Sequence, residues 1–256
     1  MTTQLGYQRS GSGKTLVMQH GYLGSSALWQ AQIDYFSREY DVITPELAGH
    51  GLSAHMQGPE SIAEAAQLVF DLLDELGVKE FMLIGHSMGG MIVQQMALMQ
   101  PARISRLVCF GTGPVGLLPN RFETLAESRR RIENEGLQNA AARIAATWFI
   151  DGEKAPGYAV CIDAASQVTT QAALACLSAW EDWNVVDQLD KVSMPTLVIW
   201  GDRDRSYGWS QPQALWQGIP GCQLAVMPGC AHNAHMEKAG IFNLILQDFL
   251  DPSSAS

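Results

Sequence analysis

Phe81-Met82-Leu83-Ile84 is a short apolar run, and Gly85-His86-Ser87-Met88-Gly89-Gly90 follows it at once, ahead of a helical segment from Met91 to Met99. A buried strand, a serine flanked by glycines and a helix, in that order, imply a strand-to-helix turn so sharp that only glycine tolerates the close backbone approach. Such a turn thrusts the Ser87 hydroxyl above the edge of the sheet. A glycine-rich turn carrying an incidental serine is the bland alternative, and the flanking elements argue against it.

Outward from this turn, further β-favouring runs recur at Leu16-Val17-Met18, Val42-Ile43-Thr44, Leu107-Val108-Cys109-Phe110, Leu197-Val198-Ile199-Trp200 and Leu224-Ala225-Val226-Met227. Apolar on both faces, they fit buried parallel strands. Ile62, Ala65, Val69, Leu72, Leu73 and Leu76 lie at helical spacing between two of them, with Ser61 and Glu64 as a capping box and Gly77 as a stop. Strand alternating with helix predicts an α/β fold, a doubly wound and mostly parallel sheet. The alternation breaks between about Gly113 and Lys191, where Arg121 to Phe149 and Thr169 to Trp180 read as helical. The expected organisation is a core of residues 1–112 and 192–256 with a helical lid, 113–191, inserted between two strands over the strand ends where ligands bind. A last amphipathic helix is expected from about Ala239 to Leu250, and the tail Ser253-Ser254-Ala255-Ser256 is expected to fray.

A serine hydroxyl is a weak nucleophile and needs a base that an acid orients. For a serine on this kind of turn the chain order is serine, acid, histidine, so the base is His232 or His235. His232 opens the loop after the final strand and is favoured; His235 falls where the chain turns into the last helix and reads as a polar residue at a pocket rim. The strand ending at Trp200 runs into Gly201-Asp202-Arg203-Asp204. Asp204 has the reach to His232, whereas Asp202 is expected to brace the turn. Leu107 to Phe110 leads into Gly111-Thr112-Gly113 and offers no carboxylate there. Oxyanion donors are expected from the backbone N–H groups of Tyr22, after His20-Gly21, and Met88. His20 precedes the serine and reads as a brace.

The chain resembles the α/β-hydrolase superfamily, and within it the 3-oxoadipate enol-lactonase, esterase and ring-cleavage hydrolase group. The resemblance rests on His20 to Ser25, Gly49-His50-Gly51-Leu52-Ser53, the serine turn, Pro195 to Asp204, and His232 with Glu237 and Phe242-Asn243 after it. It implies a serine hydrolase that cleaves a small carboxylic ester or lactone through Ser87, His232 and Asp204 by way of an acyl-enzyme. The alternatives are hydrolysis of a carbon–carbon bond in ring-cleavage dienone acids, or a ligand sensor on a hydrolase scaffold. Ester or lactone cleavage is favoured because bulky Tyr22 stands where carbon–carbon hydrolases usually carry a Gly-Pro-Gly-like loop. Three features depart from the family: Ala231 replaces a common glycine, Arg205-Ser206-Tyr207 replaces a frequent proline after the acid, and the N-terminal part is short.

Trp148, Trp180, Trp183 and His235 are the candidate substrate-pocket residues, and one of Arg129, Arg130 and Arg131 could turn inward to meet a substrate carboxylate. Gly11-Ser12-Gly13-Lys14-Thr15 lacks the first glycine of a P-loop and reads as a hairpin turn; Gly111 to Gly116 lacks the helix that a dinucleotide fingerprint opens and reads as the hinge into the lid. The chain has 256 residues, 47% of them hydrophobic and 16% charged, which fits a well-cored globule. A net charge of −10 argues against nucleic acid and anionic membranes as partners. The partner expected is a small-molecule substrate, with no metal and no cofactor; the oligomeric state is left open. Cys109, Cys161, Cys176, Cys222 and Cys230 form no Cys-x-x-Cys pair and are expected to be reduced, mostly buried thiols. With no secretory pattern at the N-terminus, a cytoplasmic location is expected.

Overall fold

The computed structural model describes residues 4–117 and 121–251. Seven strands form one sheet in the order β1-β3-β2-β4-β5-β6-β7: β1 Tyr7–Ser10, β2 Lys14–Gln19, β3 Tyr40–Pro45, β4 Phe81–His86, β5 Ile104–Phe110, β6 Thr196–Gly201 and β7 Gln223–Met227. Every neighbouring pair is parallel except β1 with β3 at the edge. β1 is a four-residue edge strand just before Gly11. Because it pairs with β3 and not with β2, Gly11 to Gly13 is a crossing turn; the hairpin expected there does not form. Gly11 (φ 86°) passes so close to β3 that a Cβ would lie 2.2 Å from Tyr40 O.

Helices cover both faces. α1 (Gln30–Phe36) precedes β3, α2 (Ile62–Glu75) precedes β4, and α3 (Met88–Met99) follows it. α2 starts where Ser61 Oγ accepts a hydrogen bond from Glu64 N at 3.0 Å. Only half of the expected capping box is present, since the Glu64 carboxylate takes Glu60 N instead of returning to Ser61. The helix stops at Gly77, whose φ of 72° suits a residue without a Cβ.

Between β5 and β6 the chain holds α4 (Leu125–Glu135), α5 (Leu137–Ala146), α6 (Tyr158–Ser166) and α7 (Thr170–Glu181). The sequence reads as one helical run from Arg121 to Phe149, but Gly136 (φ 83°) splits it in two, and the α6 segment carries no strong amphipathic signal. The two ends of this insertion are tied to each other: Val115 bridges Asn184, and Gly116 N donates to Trp183 O at 2.7 Å. α8 (Ser210–Gly218) lies between β6 and β7, while α9 (Ala234–Glu237) and α10 (Ala239–Leu250) close the chain.

Two apolar layers sandwich the sheet. Val17, Ile43, Leu83 and Leu107 pack under α2 and α3 on one face, and Met18, Ile84, Phe110 and Ile199 pack against Trp29, Phe36 and Phe242 on the other. Near-continuous burial along β3 and β4 is what a parallel sheet covered on both faces requires. Cys109, Cys161, Cys176 and Cys230 are buried free thiols and Cys222 is half-buried. The tail at Ser253–Ser256 lies outside the described residues.

Candidate active site

Ser87 sits at the C-terminal end of β4, near the middle of the sheet, with φ 58° and ψ −122°. That conformation is strained for a residue with a side chain and persists only where the surroundings enforce it. Here Ser87 N donates to Phe110 O at 3.0 Å, and Thr112 Oγ1 donates to Ser87 O at 2.8 Å. The glycines are needed because a Cβ on Gly85 would lie 2.2 Å from Gly89 O, one on Gly89 2.4 Å from Gln19 O, and one on Gly90 2.5 Å from the Thr112 side chain. α3 begins at Met88, so its N-terminal dipole faces the serine.

Asp204 and His232 come from loops after β6 and β7. His232 Nδ1 donates to Asp204 Oδ2 at 2.8 Å, and both side chains are buried. The other carboxylate oxygen accepts Ser206 N at 2.7 Å and Tyr207 N at 3.0 Å, so the acid cannot rotate freely. A proton held on Nδ1 leaves Nε2 as the acceptor. Asp202 is placed differently: its Oδ1 accepts Gly229 N at 2.7 Å, bracing the β6 loop against the β7 loop. Glu237 accepts Ala231 N at 2.6 Å and Ile150 N at 2.7 Å, which fastens the histidine loop to the insertion.

Gly21 lies against the serine turn, where a Cβ would fall 2.8 Å from Ser87 Cβ and 3.2 Å from Met88 N. Tyr22 and Met88 therefore adjoin Ser87 from two segments. His20 is a brace, as its position suggests: Nδ1 contacts Gly21 O at 2.9 Å, and Nε2 lies 3.0 Å from both Leu47 N and Glu46 Oε2. Burial pushes the Glu46 carboxyl up, but His20 and Ser26 together hold it below the usual carboxylate range.

A cavity of about 20 Å³ lies over Ser87 and His232, and Trp148 and Trp180 are in its wall. The other two pocket candidates are corrected by the structure. Trp183 does not line this cavity; its indole N–H is bound to Gln95 Oε1 on α3 at 3.2 Å. His235 is no rim residue, because the α9 turn carries it into the opposite layer, against Trp29 at 4.8 Å, His86 at 5.1 Å and Phe110 at 5.2 Å. Nor does any of the three consecutive arginines face the cavity: Arg129 pairs with Glu181 at 3.2 Å, Arg131 with Glu135 at 2.9 Å, and Arg130 is exposed.

Tyr207, in the segment expected to alter the pocket wall, lines the cavity, and so does Arg121, which the sequence does not single out. The Tyr207 ring lies parallel to the His232 ring, 5.6 Å away at 9°. It belongs to the segment after Asp204 where the sequence departs from the family, and that departure was its signal. His86 Nε2 donates to His232 O at 3.0 Å from beneath the site. Among the described residues, no group of three or more His, Cys, Asp or Glu side chains is placed to hold a metal ion.

The sequence profile of the alpha/beta hydrolase fold family matches residues 14–239. The chain is similar to 3-oxoadipate enol-lactonase 2 of Acinetobacter baylyi, 29% identical over 220 residues that cover 85% of this chain and 81% of that protein. A solved structure of a hydrolase from Pseudomonas aeruginosa PA01 superposes with a TM-score of 0.86 at 26% identity, covering 96% of this chain and 94% of that one. An enol-lactonase from Burkholderia xenovorans LB400 shares the fold, with a TM-score of 0.87, 22% identity and 96% coverage of each chain.

Proposed function

This chain belongs to the alpha/beta hydrolase fold family, and we propose that within it the protein is a serine hydrolase of small carboxylic esters or lactones. The observation that carries this reading is the buried Asp204–His232 bond of 2.8 Å beside a strained serine in the same cavity. In the proposed reaction His232 Nε2 takes the Ser87 hydroxyl proton as Oγ attacks the substrate carbonyl carbon. The tetrahedral oxyanion is held by the backbone N–H groups of Tyr22 and Met88. Collapse expels the alcohol oxygen, which receives the proton from His232 and leaves an acyl group on Ser87. Water, deprotonated by the same imidazole, then releases the acid. Asp204 keeps the imidazole in the tautomer that accepts at Nε2. The helical insertion, 113–191, acts as the lid that holds the substrate over Ser87.

Support for an ester or lactone also comes from Tyr22, whose buried side chain closes one side of the site. A fluorophosphonate probe, with hydrolysis of p-nitrophenyl acetate and butyrate and of small lactones, tests the reading. The label is expected on Ser87, with turnover lost in Ser87→Ala. Label elsewhere on folded protein, or a Ser87→Ala variant keeping a tenth of the activity, would sink it. Binding without turnover would favour a sensor.

A further inference from the structure

Tyr207 is buried, yet its hydroxyl closes no hydrogen bond. Buried polar groups are almost always satisfied, so an unpaired hydroxyl in the wall of the cavity that holds Ser87 and His232 calls for a partner supplied during the reaction. The residue is firmly held. Its backbone N donates to Asp204 Oδ1 at 3.0 Å, its backbone O accepts the Trp200 indole N–H at 2.8 Å, and its ring lies parallel to that of His232, 5.6 Å away at 9°. The hydroxyl is thereby fixed beside the side chains of Ser87 and Thr112.

Which atom it serves follows from the chemistry of its neighbours and from topology. Thr112 Oγ1 already donates to Ser87 O at 2.8 Å, and the Ser87 hydroxyl proton is the one that His232 takes, so both oxygens can only accept from Tyr207. The phenol is the donor. Burial pushes it above its ordinary value, so it stays protonated throughout the range in which a histidine acts as a base. Tyr22 follows β2 and Tyr207 follows β6, on opposite sides of β4 in the sheet. The Tyr207 segment therefore reaches Ser87 from the flank away from the Tyr22 backbone N–H, and its hydroxyl is addressed to Oγ and not to the carbonyl oxyanion.

From this placement we propose that Tyr207 is a further catalytic residue, donating a hydrogen bond to Ser87 Oγ when that oxygen is the leaving group. The proposal rests on the serine hydrolase reading. In deacylation a water oxygen bonds to the acyl carbon as His232 Nε2 takes its proton; the carbon–Oγ bond then breaks, the electron pair returns to Oγ, and the imidazolium gives it the proton. Tyr207 keeps its own proton throughout. Charge builds on Oγ as that bond breaks, and a hydrogen bond speeds a step to the extent that it strengthens in the transition state. In acylation the same electron pair is given to carbon, so the phenol gains little there, and a p-nitrophenyl ester expels a leaving group that needs no help.

The test separates the two steps. At saturating p-nitrophenyl butyrate, acid quenching and intact-mass measurement give the ratio of butyrylated to free protein, which equals the ratio of the acylation and deacylation rate constants. Tyr207→Phe removes one unpaired hydroxyl and keeps both backbone bonds. It is expected to raise that ratio at least about tenfold and to lower kcat. A smaller rise overturns the proposal, and so does an unchanged ratio with both steps slowed, which is the result for a hydroxyl that only shapes the cavity or serves the oxyanion. Either outcome leaves the hydrolase reading intact. para-Aminophenylalanine at position 207 keeps a weaker donor in the same place and should give a ratio between those two. If Tyr207→Phe fails to fold, this second variant decides, and a rise below about threefold overturns the proposal. If no ester is turned over and Ser87 takes no fluorophosphonate, the hydrolase reading falls and the role of Tyr207 with it.

Discussion

Lowering the pH from 7 to 5 is expected to remove much of the stability of this fold, because three histidines are buried without charge. His50 and His235 are fully buried. Burial, with His20 beside the first and His232 beside the second, pulls each down to about 3. Burial also drives His86 well below its ordinary value, helped by His232 and His235. An unfolded histidine titrates near ~6.5. As the pH falls through that value the unfolded chain takes up protons that the folded chain refuses, so stability is complete above it and drains away below it. At pH 5 each histidine costs about 2 kcal/mol, against about 0.2 kcal/mol at pH 7, and the three together remove about 5 kcal/mol or slightly more. A domain is stable by only about 5–15 kcal/mol. Urea unfolding followed by tryptophan fluorescence at pH 7, 6 and 5 measures the loss directly. His50→Asn should reduce the pH dependence by about a third, because one of three equal contributors is gone. A change below about 2 kcal/mol between pH 7 and 5, the share of a single histidine, would refute the reasoning.

Asp204→Asn keeps an oxygen for Ser206 and Tyr207 but turns an amide N–H toward His232, shifting the imidazole proton to Nε2; kcat on a p-nitrophenyl ester should fall about ten-thousandfold with the fold intact. Asp202→Asn should lower Tm with kcat within about twofold, since its partner is Gly229 N; equal kcat losses in the two variants would move the acid elsewhere. Gly89→Ala should fail to accumulate as folded protein, because its Cβ would meet Gln19 O at 2.4 Å and His20 O at 2.5 Å, and an unchanged melting curve would contradict that packing. His235→Ala opens a hole beneath Trp29 and Phe242 and should cost about 2–5 kcal/mol in urea unfolding; a kcat loss matching that of His232→Ala would mean the base was misassigned.

Much of the fold was legible because its signals are local. Strands apolar on both faces, glycines at Gly85, Gly89 and Gly90, and the serine between them each follow from a requirement within a few residues of chain. The same holds for the acid: Asp202 and Asp204 are two residues apart, and the extra reach of Asp204 into the loop separates a brace from a partner of His232. Boundaries inside the insertion were less legible. Gly136 reads from the sequence as one residue in a long helical run, and the left-handed turn it adopts is set by how α4 and α5 pack.

The misplaced side chains fail for a common reason, which is that facing direction is a tertiary property. His235 lies three residues after His232, yet one short helical turn sends the two rings to different surroundings, one into the cavity and one between Trp29 and Phe110. Polarity alone pointed His235 toward solvent; the aromatic pocket that receives it is assembled from Trp29 just before α1, Phe110 of β5 and Phe242 of α10, far apart in sequence. Arg129, Arg130 and Arg131 drew attention as a run, but a helix surface surrounded by Glu181, Glu135 and Glu123 disposes of such charges. Arg121, alone and outside the helix, has no such neighbour to spare, because Arg143 and Arg131 have taken Glu123. Its Nη1 donates instead to the Glu123 carbonyl and the Ser128 hydroxyl, and partners of that kind are visible only once the competing ion pairs are in place.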